Sequence, residues 1–144
     1  MVRFWDTSAL IPLVVEEGRS SACRRLFRDK ADLVVWALTR TEMTSAVWRR
    51  AREGDLASGQ VPRALARIAA LSSRWSEITD IDLVRDRAER LLGQHALRAA
   101  DALQLGAALV LTRERPRGRD LVTVDGELAR AAANEGFRVL VPTN

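Results

Sequence analysis

Four acidic residues occupy positions from which they could act together. Asp6 closes the apolar run Val2–Trp5 and is followed at once by the hydroxyls of Thr7 and Ser8. Glu42 and Asp101 each stand near the start of an amphipathic stretch, and Asp125 ends the apolar run Leu121–Val124. Carboxylates brought together repel and raise one another's pKa. A divalent cation removes that penalty, and an all-oxygen site without His or Cys suits Mg²⁺ or Mn²⁺. Ser8, two residues beyond Asp6, and Thr123, two before Asp125, are placed to steady a carboxylate or a water from behind the site. Each acid also has a simpler use. Asp6 and Asp125 suit helix N-caps. Glu42 forms the capping-box pattern Thr-x-x-Glu with Thr39. Asp101 stands one turn from Arg98 and in a first helical turn, where a negative charge is favoured.

The elements that would position these residues follow from hydrophobic spacing. Val2–Trp5, Leu33–Trp36, Leu121–Val124 and Arg138–Val141 read as strands, and Glu77–Ile81 as a short fifth. Ala9–Val15, Ser20–Phe27, Glu42–Arg52, Pro62–Trp75, Leu83–Leu92, Arg98–Leu111 and Glu127–Asn134 read as helices. Strands alternating with helices predict a parallel sheet covered on both faces, and the continuously apolar strands agree. In such folds ligands sit beyond the carboxyl ends of the strands. Asp6 and Asp125 end strands, while Glu42 and Asp101 open helices that begin at that same end. Right-handed crossovers therefore bring all four acids to one edge of one sheet.

Composition narrows the field. The 144 residues fit one domain, 47% of them hydrophobic, with no run of about 20 apolar residues for a membrane helix. No secretory leader is evident, and the lone Cys23 excludes an internal disulfide and suits a cytoplasmic setting. With His95 as the single histidine, a Cys/His metal cage is excluded. The net charge is +4 and Lys30 is the sole lysine. An arginine-based charge leans toward phosphate, although codon bias toward Arg and Ala would give the same balance.

Four blocks, FWDTSALIPLVVEEG, TRTEMTSAVWRRAREG, ALRAADALQLGAAL and LVTVDGELARAAANEGFRV, taken in this order, resemble the successive motifs of the PIN domain. They are most similar to the ribonuclease toxins of the bacterial VapBC toxin–antitoxin systems. The resemblance implies one three-layer α/β/α domain over residues 1–144, with a mostly parallel sheet of about five strands. It maps the family's acids onto Asp6, Glu42, Asp101 and Asp125 and its hydroxyl onto Ser8. Pro12 departs from the polar or basic residue common there, without touching the acids. The resemblance further implies a Mg²⁺-dependent endoribonuclease, with Asp6, Asp101 and Asp125 on the cation and Glu42 as a ligand or orienting water. It also implies a homodimer and a VapB-type antitoxin that blocks the site. Attack by activated water leaves a 5′-phosphate; the alternative 2′-hydroxyl route usually needs an acid–base pair such as two histidines.

Other classes share this charge pattern. A phospho-acceptor receiver needs a second acid by the first strand and a lysine after a late strand, but Lys30 precedes the second. A phosphatase with an Asp-x-Asp nucleophile fails at Ser8. A non-catalytic PIN-like module binding RNA or protein stays open, as does a PIN nuclease of RNA processing; four repelling acids count against a pure RNA binder. Arg40, Arg49 and Arg98 fall nearest the acids as substrate contacts. Arg113, Arg115, Arg117 and Arg119 share a loop that precedes a strand and so falls at the opposite end. Trp36 and Trp48 are expected to pack in a core or interface rather than to stack on bases.

Overall fold

A computed structural model describes residues 1–28 and 31–143; Lys30 lies outside the described residues. Twelve regular elements follow one another, apart from a 3₁₀ turn at Ser58–Gln60. Strands β1 (Val2–Trp5), β2 (Asp32–Trp36), β3 (Ser76–Ile78), β4 (Asp120–Val122) and β5 (Arg138–Leu140) form one sheet in the order β3-β2-β1-β4-β5. Every pairing is parallel. Helices α1 (Thr7–Val14), α2 (Ser20–Arg28), α3 (Thr39–Arg52) and α4 (Val61–Ser72) precede α5 (Ile81–Leu92), α6 (Ala99–Leu111) and α7 (Gly126–Glu135). The expected three-layer α/β/α arrangement is present, with an entirely parallel sheet.

Strand alternation builds the layers. Trp5, Leu33, Val35 and Val122 enter one core with α1, α3 and α4. Phe4, Val34, Trp36 and Leu121 point the other way, into a second core with α5, α6 and α7. Successive strand residues face opposite sides, so a continuous apolar run is what a sheet covered twice demands. Trp36 is accordingly a core residue, as expected, whereas Trp48 on α3 is 45% exposed.

Boundaries shift where capping decides them. Asp6, Asp80 and Asp125 accept backbone N–H bonds from Ser8, Leu83 and Leu128, so α1, α5 and α7 begin at Thr7, Ile81 and Gly126, ahead of the expected Ala9, Leu83 and Glu127. At the other end of α7, Gly136 takes φ 113°, a left-handed closure that glycine makes at low cost. The capping box expected of Thr39 and Glu42 does not form. Leu38 is the N-cap of α3, and both side chains bond elsewhere.

The chain order creates a switch point. From β1 the chain moves outward to β2 and β3, then returns to place β4 on the other side of β1. The loops above β1 and β4 therefore diverge to opposite faces and leave a crevice. At the opposite end, Asp120 is flanked in register by Arg3 and Arg138. Arg3 Nε donates to it at 3.0 Å, and Arg138 donates twice, at 2.7 and 3.0 Å. The two guanidiniums hold the Asp120 carboxyl below its ordinary range, Arg138 contributing most.

Helix α6 can back the sheet only because it lies close against α5. A Cβ on Gly106 would stand 3.0 Å from the Val84 carbonyl oxygen and 3.3 Å from the Ala88 nitrogen. Both are backbone atoms, which cannot rotate aside. Alanine gains about 1 kcal/mol in helix propensity. Overpacking against a rigid neighbour costs about 1–3 kcal/mol. Gly106→Ala is therefore expected to destabilise the protein, lowering its melting temperature by several degrees, as thermal unfolding followed by circular dichroism will measure.

Candidate active site

An open cleft of about 900 Å³ lies at the switch point, and Asp6, Ser8, Glu42, Arg49, Arg98, Asp101 and Asp125 all line it. The structure thus brings together the four acids expected to meet and two of the three arginines. Arg40 is not in this cleft; it lines an adjoining hollow on α3 and donates to Ser72 Oγ at 3.1 Å. The Arg113–Arg119 loop leads into β4 and so lies at the far end of the sheet, as expected. His95 pairs with Glu135 at 2.6 Å, at the last residue of α7, and does not line the cleft.

Asp6 is fixed from behind. Its backbone N–H donates to the Val122 carbonyl, which extends the β1–β4 ladder past the end of the strand. Its Oδ2 accepts from Ser8 Oγ at 2.5 Å, Thr123 Oγ1 at 2.9 Å and the Ser8 backbone at 3.3 Å. Thr123 Oγ1 in turn accepts from the Asp125 N–H at 3.0 Å, and Ser8 Oγ from the Val124 N–H at 3.1 Å. The two hydroxyls therefore tie the start of α1 to the turn after β4.

Glu42 is held by a network absent from the sequence reading. Gln104, on α6 and almost wholly buried, donates through Nε2 to Glu42 Oε1 at 2.8 Å, Thr7 Oγ1 at 2.9 Å and Thr39 Oγ1 at 3.2 Å. Thr7 Oγ1 in turn donates a hydrogen bond to Glu42 Oε1 at 3.1 Å. A glutamine inside the Ala/Leu-rich helix was the available signal, since a buried amide needs partners. Gln104 Oε1 is the one buried side-chain polar atom without a partner among the described residues. Glu127 and the Arg50–Glu17 pair, 2.7 Å apart, also border the cleft.

The bonding is one-sided. Asp6 is held through Oδ2, Glu42 through Oε1 and Asp125 through Oδ1, which caps α7. Among the described residues each keeps its second oxygen without a hydrogen-bond partner, and Asp101 keeps both. Asp101 does not form the ion pair with Arg98 that its spacing allowed, although Arg98 still moderates its charge. Burial raises Asp6 from 3.8 to about 6 in spite of its donors, with Glu42 adding to the rise. Burial also raises Asp101 to about 6, reinforced by Asp125 and Asp6, and raises Glu42, reinforced by Asp101. Among the described residues no three of the acids are grouped closely enough to clasp a metal directly. The donor set and the open cleft fit a Mg²⁺-like ion, which keeps several waters and needs only one or two carboxylates.

A family model described as the PIN domain matches residues 3–134. The chain belongs to the PIN-domain family. No curated protein matches it in sequence. Among solved structures, this PIN domain is similar to the crystal structure of VapBC2 from Rickettsia felis bound to a DNA fragment from their promoter. That likeness has TM-score 0.68 and 12% identity, over 98% of each chain. It is also similar to a toxin–antitoxin complex from Klebsiella pneumoniae, with TM-score 0.62 and 18% identity, over 99% of this chain and 98% of that one. At such identities the likeness establishes the fold.

The raised carboxyls give the metal-free PIN domain a defined pH response. Asp6 holds its proton to about pH 6 when folded but only to about 3.8 when unfolded. Its contribution is full below pH 4 and is lost as pH rises through 6. Between pH 5 and 8 that amounts to roughly 1 kcal/mol from Asp6, with Asp101 acting in the same direction. In EDTA the protein is expected to melt a few degrees higher at pH 5 than at pH 8, and Asp6→Asn should shrink the difference, leaving the part due to Asp101. Melting curves across that range, for both proteins, decide it.

Proposed function

We propose that this PIN domain is a metal-dependent endoribonuclease and the toxin of a toxin–antitoxin pair acting in the cytoplasm. The observation that carries the reading is the one-sided bonding of the acids, which leaves free carboxylate oxygens around a single cleft. Family membership supports nuclease chemistry. The toxin–antitoxin complexes of similar fold support an antitoxin partner. That this partner covers the cleft, and that the chain forms a homodimer, belong to the same proposal.

Asp6, Asp101 and Asp125 would hold a Mg²⁺ ion, or Mn²⁺ in its place, directly or through water. Bound there, the ion would supply Lewis-acid stabilisation of phosphate charge and a lowered pKa for water. Ser8 and Thr123 keep Asp6 from rotating away. Glu42 would orient the attacking water and take its proton. Burial already makes it a stronger base, and Thr7 and Gln104 fix its direction. Arg98 and Arg49, at the cleft margin, would bind the flanking phosphates. The product would carry a 5′-phosphate and a 3′-hydroxyl. Unpaired RNA is the favoured substrate class, because paired A-form RNA hides its base edges in a deep groove.

Asp101→Asn tests the reading, because the Asp101 side chain makes no hydrogen bond or ion pair among the described residues. The neutral isostere removes repulsion, so metal-free stability should hold or rise. RNA cleavage in Mg²⁺ should fall by about 100-fold or more. Wild-type cleavage should stop in EDTA and yield 5′-phosphate ends. A less stable but fully active Asp101→Asn, or 2′,3′-cyclic phosphate ends, would remove this mechanism.

A further inference from the structure

One face of α3 leads away from the acid cleft into a second hollow. Thr41 and Ser45 line both, so the two are continuous. Beyond them the hollow is walled by Trp48, Arg40 and Arg52. Positions 41, 45, 48 and 52 follow helical spacing, and the row runs roughly 16 Å along the axis. Trp48 is 45% exposed, unlike Trp5, Trp36 and Trp75, which are buried. An indole left in water beside a polar cleft forgoes the burial that the other three obtain.

The charge around it identifies the ligand chemistry. Arg52 and Arg49 meet no carboxylate among the described residues, and Arg40 has only the neutral Ser72 hydroxyl. Unneutralised guanidiniums flanking an exposed aromatic ring provide what an unpaired nucleotide needs: cations for the backbone and a flat surface for the base. A hydrophobic protein partner would have no use for these cations.

We propose that Trp48, between Arg40 and Arg52, is a stacking subsite for one unpaired base of a single-stranded RNA whose neighbouring phosphate occupies the acid cleft. The inference rests on the nuclease reading above and adds a substrate-positioning residue outside the acids. The subsite would make cleavage depend on unpaired bases to one side of the scissile bond, tolerant of their identity because every base presents a π-face.

The other tryptophans are buried, so fluorescence quenching by added RNA reports on Trp48. The test uses the full chain with Asp101→Asn to stop turnover, in Mg²⁺, titrated with an unpaired hexaribonucleotide and with an abasic hexamer of the same backbone. The hexaribonucleotide should quench the emission, and Trp48→Leu should weaken its binding about tenfold. Trp48→Phe should recover most of the loss, and the abasic hexamer should bind equally to all three. In the active protein, Trp48→Leu should raise KM with kcat little changed. Unaltered binding and KM in Trp48→Leu would overturn the subsite while leaving the nuclease intact. So would an emission wavelength that shifts with protein concentration and not with RNA, which would mark Trp48 as a contact between copies. If the wild-type chain neither cleaves nor binds RNA, the nuclease reading fails and the subsite with it.

Discussion

The carboxylate of Asp6, buried at the end of β1, governs much of the architecture around it. Leaving Asp6 ionised in a place that lifts its pKa to about 6 is costly, and the surrounding residues are arranged to limit that cost without removing it. Ser8 and Thr123 direct their hydroxyls at a single oxygen of Asp6. Those hydroxyls are themselves held by the N–H groups of Val124 and Asp125. One chain of hydrogen bonds therefore fixes the first helix, the turn after β4 and the start of α7. Gln104 and Thr7 do the same for Glu42 across α6, α1 and α3. The polar groups that steady the acids also join the layers above the sheet.

The opposite end of the sheet shows the contrasting arrangement. Asp120 is as buried as Asp6, yet two arginines in register fully engage it and lower its pKa. Nothing there is left for a ligand. A carboxylate with a guanidinium on each side is a clamp between neighbouring strands. A carboxylate held on one oxygen, beside other acids, keeps its other oxygen open to the cleft. At Asp6 burial outweighs the hydroxyl donors, whereas at Asp120 the paired guanidiniums outweigh burial, and this gives the sheet a closed end and an open one.

Much of this was legible in the sequence. The alternation of apolar strands with amphipathic helices sufficed for the parallel three-layer fold, and right-handed crossovers sufficed to bring Asp6, Glu42, Asp101 and Asp125 to one edge. What escaped was set by contacts distant in sequence. Asp120 reads as loop polarity until Arg3 and Arg138 are seen beside it. Gln104 reads as one polar residue in an apolar helix until Thr7, Thr39 and Glu42 surround its amide. The expected Thr39–Glu42 capping box failed for the same reason. The amide from α6 competes for both side chains, and a tertiary donor displaced the local one. Arg40 and Trp48 lie on a face whose direction depends on how α3 rolls against the sheet, which spacing alone leaves undetermined.

The helix-cap and cation-site readings of Asp6 and Asp125 first appear to compete. The structure removes the competition, because a carboxylate has two oxygens and a cap needs only one. Asp6 caps α1 and Asp125 caps α7 through a single oxygen each, and the second stays available at the cleft. Capping also places each acid at a helix N-terminus, where the backbone dipole favours negative charge and offsets part of the repulsion among the acids. Asp101 and Glu42 benefit in the same way from the first turns of α6 and α3. Four helices thus begin where four carboxylates must be kept close together, and their dipoles make the cluster tolerable before any cation arrives. A doubly wound sheet directs helix N-termini toward the carboxyl ends of its strands. For that reason the fold can hold acids there that most surfaces would disperse.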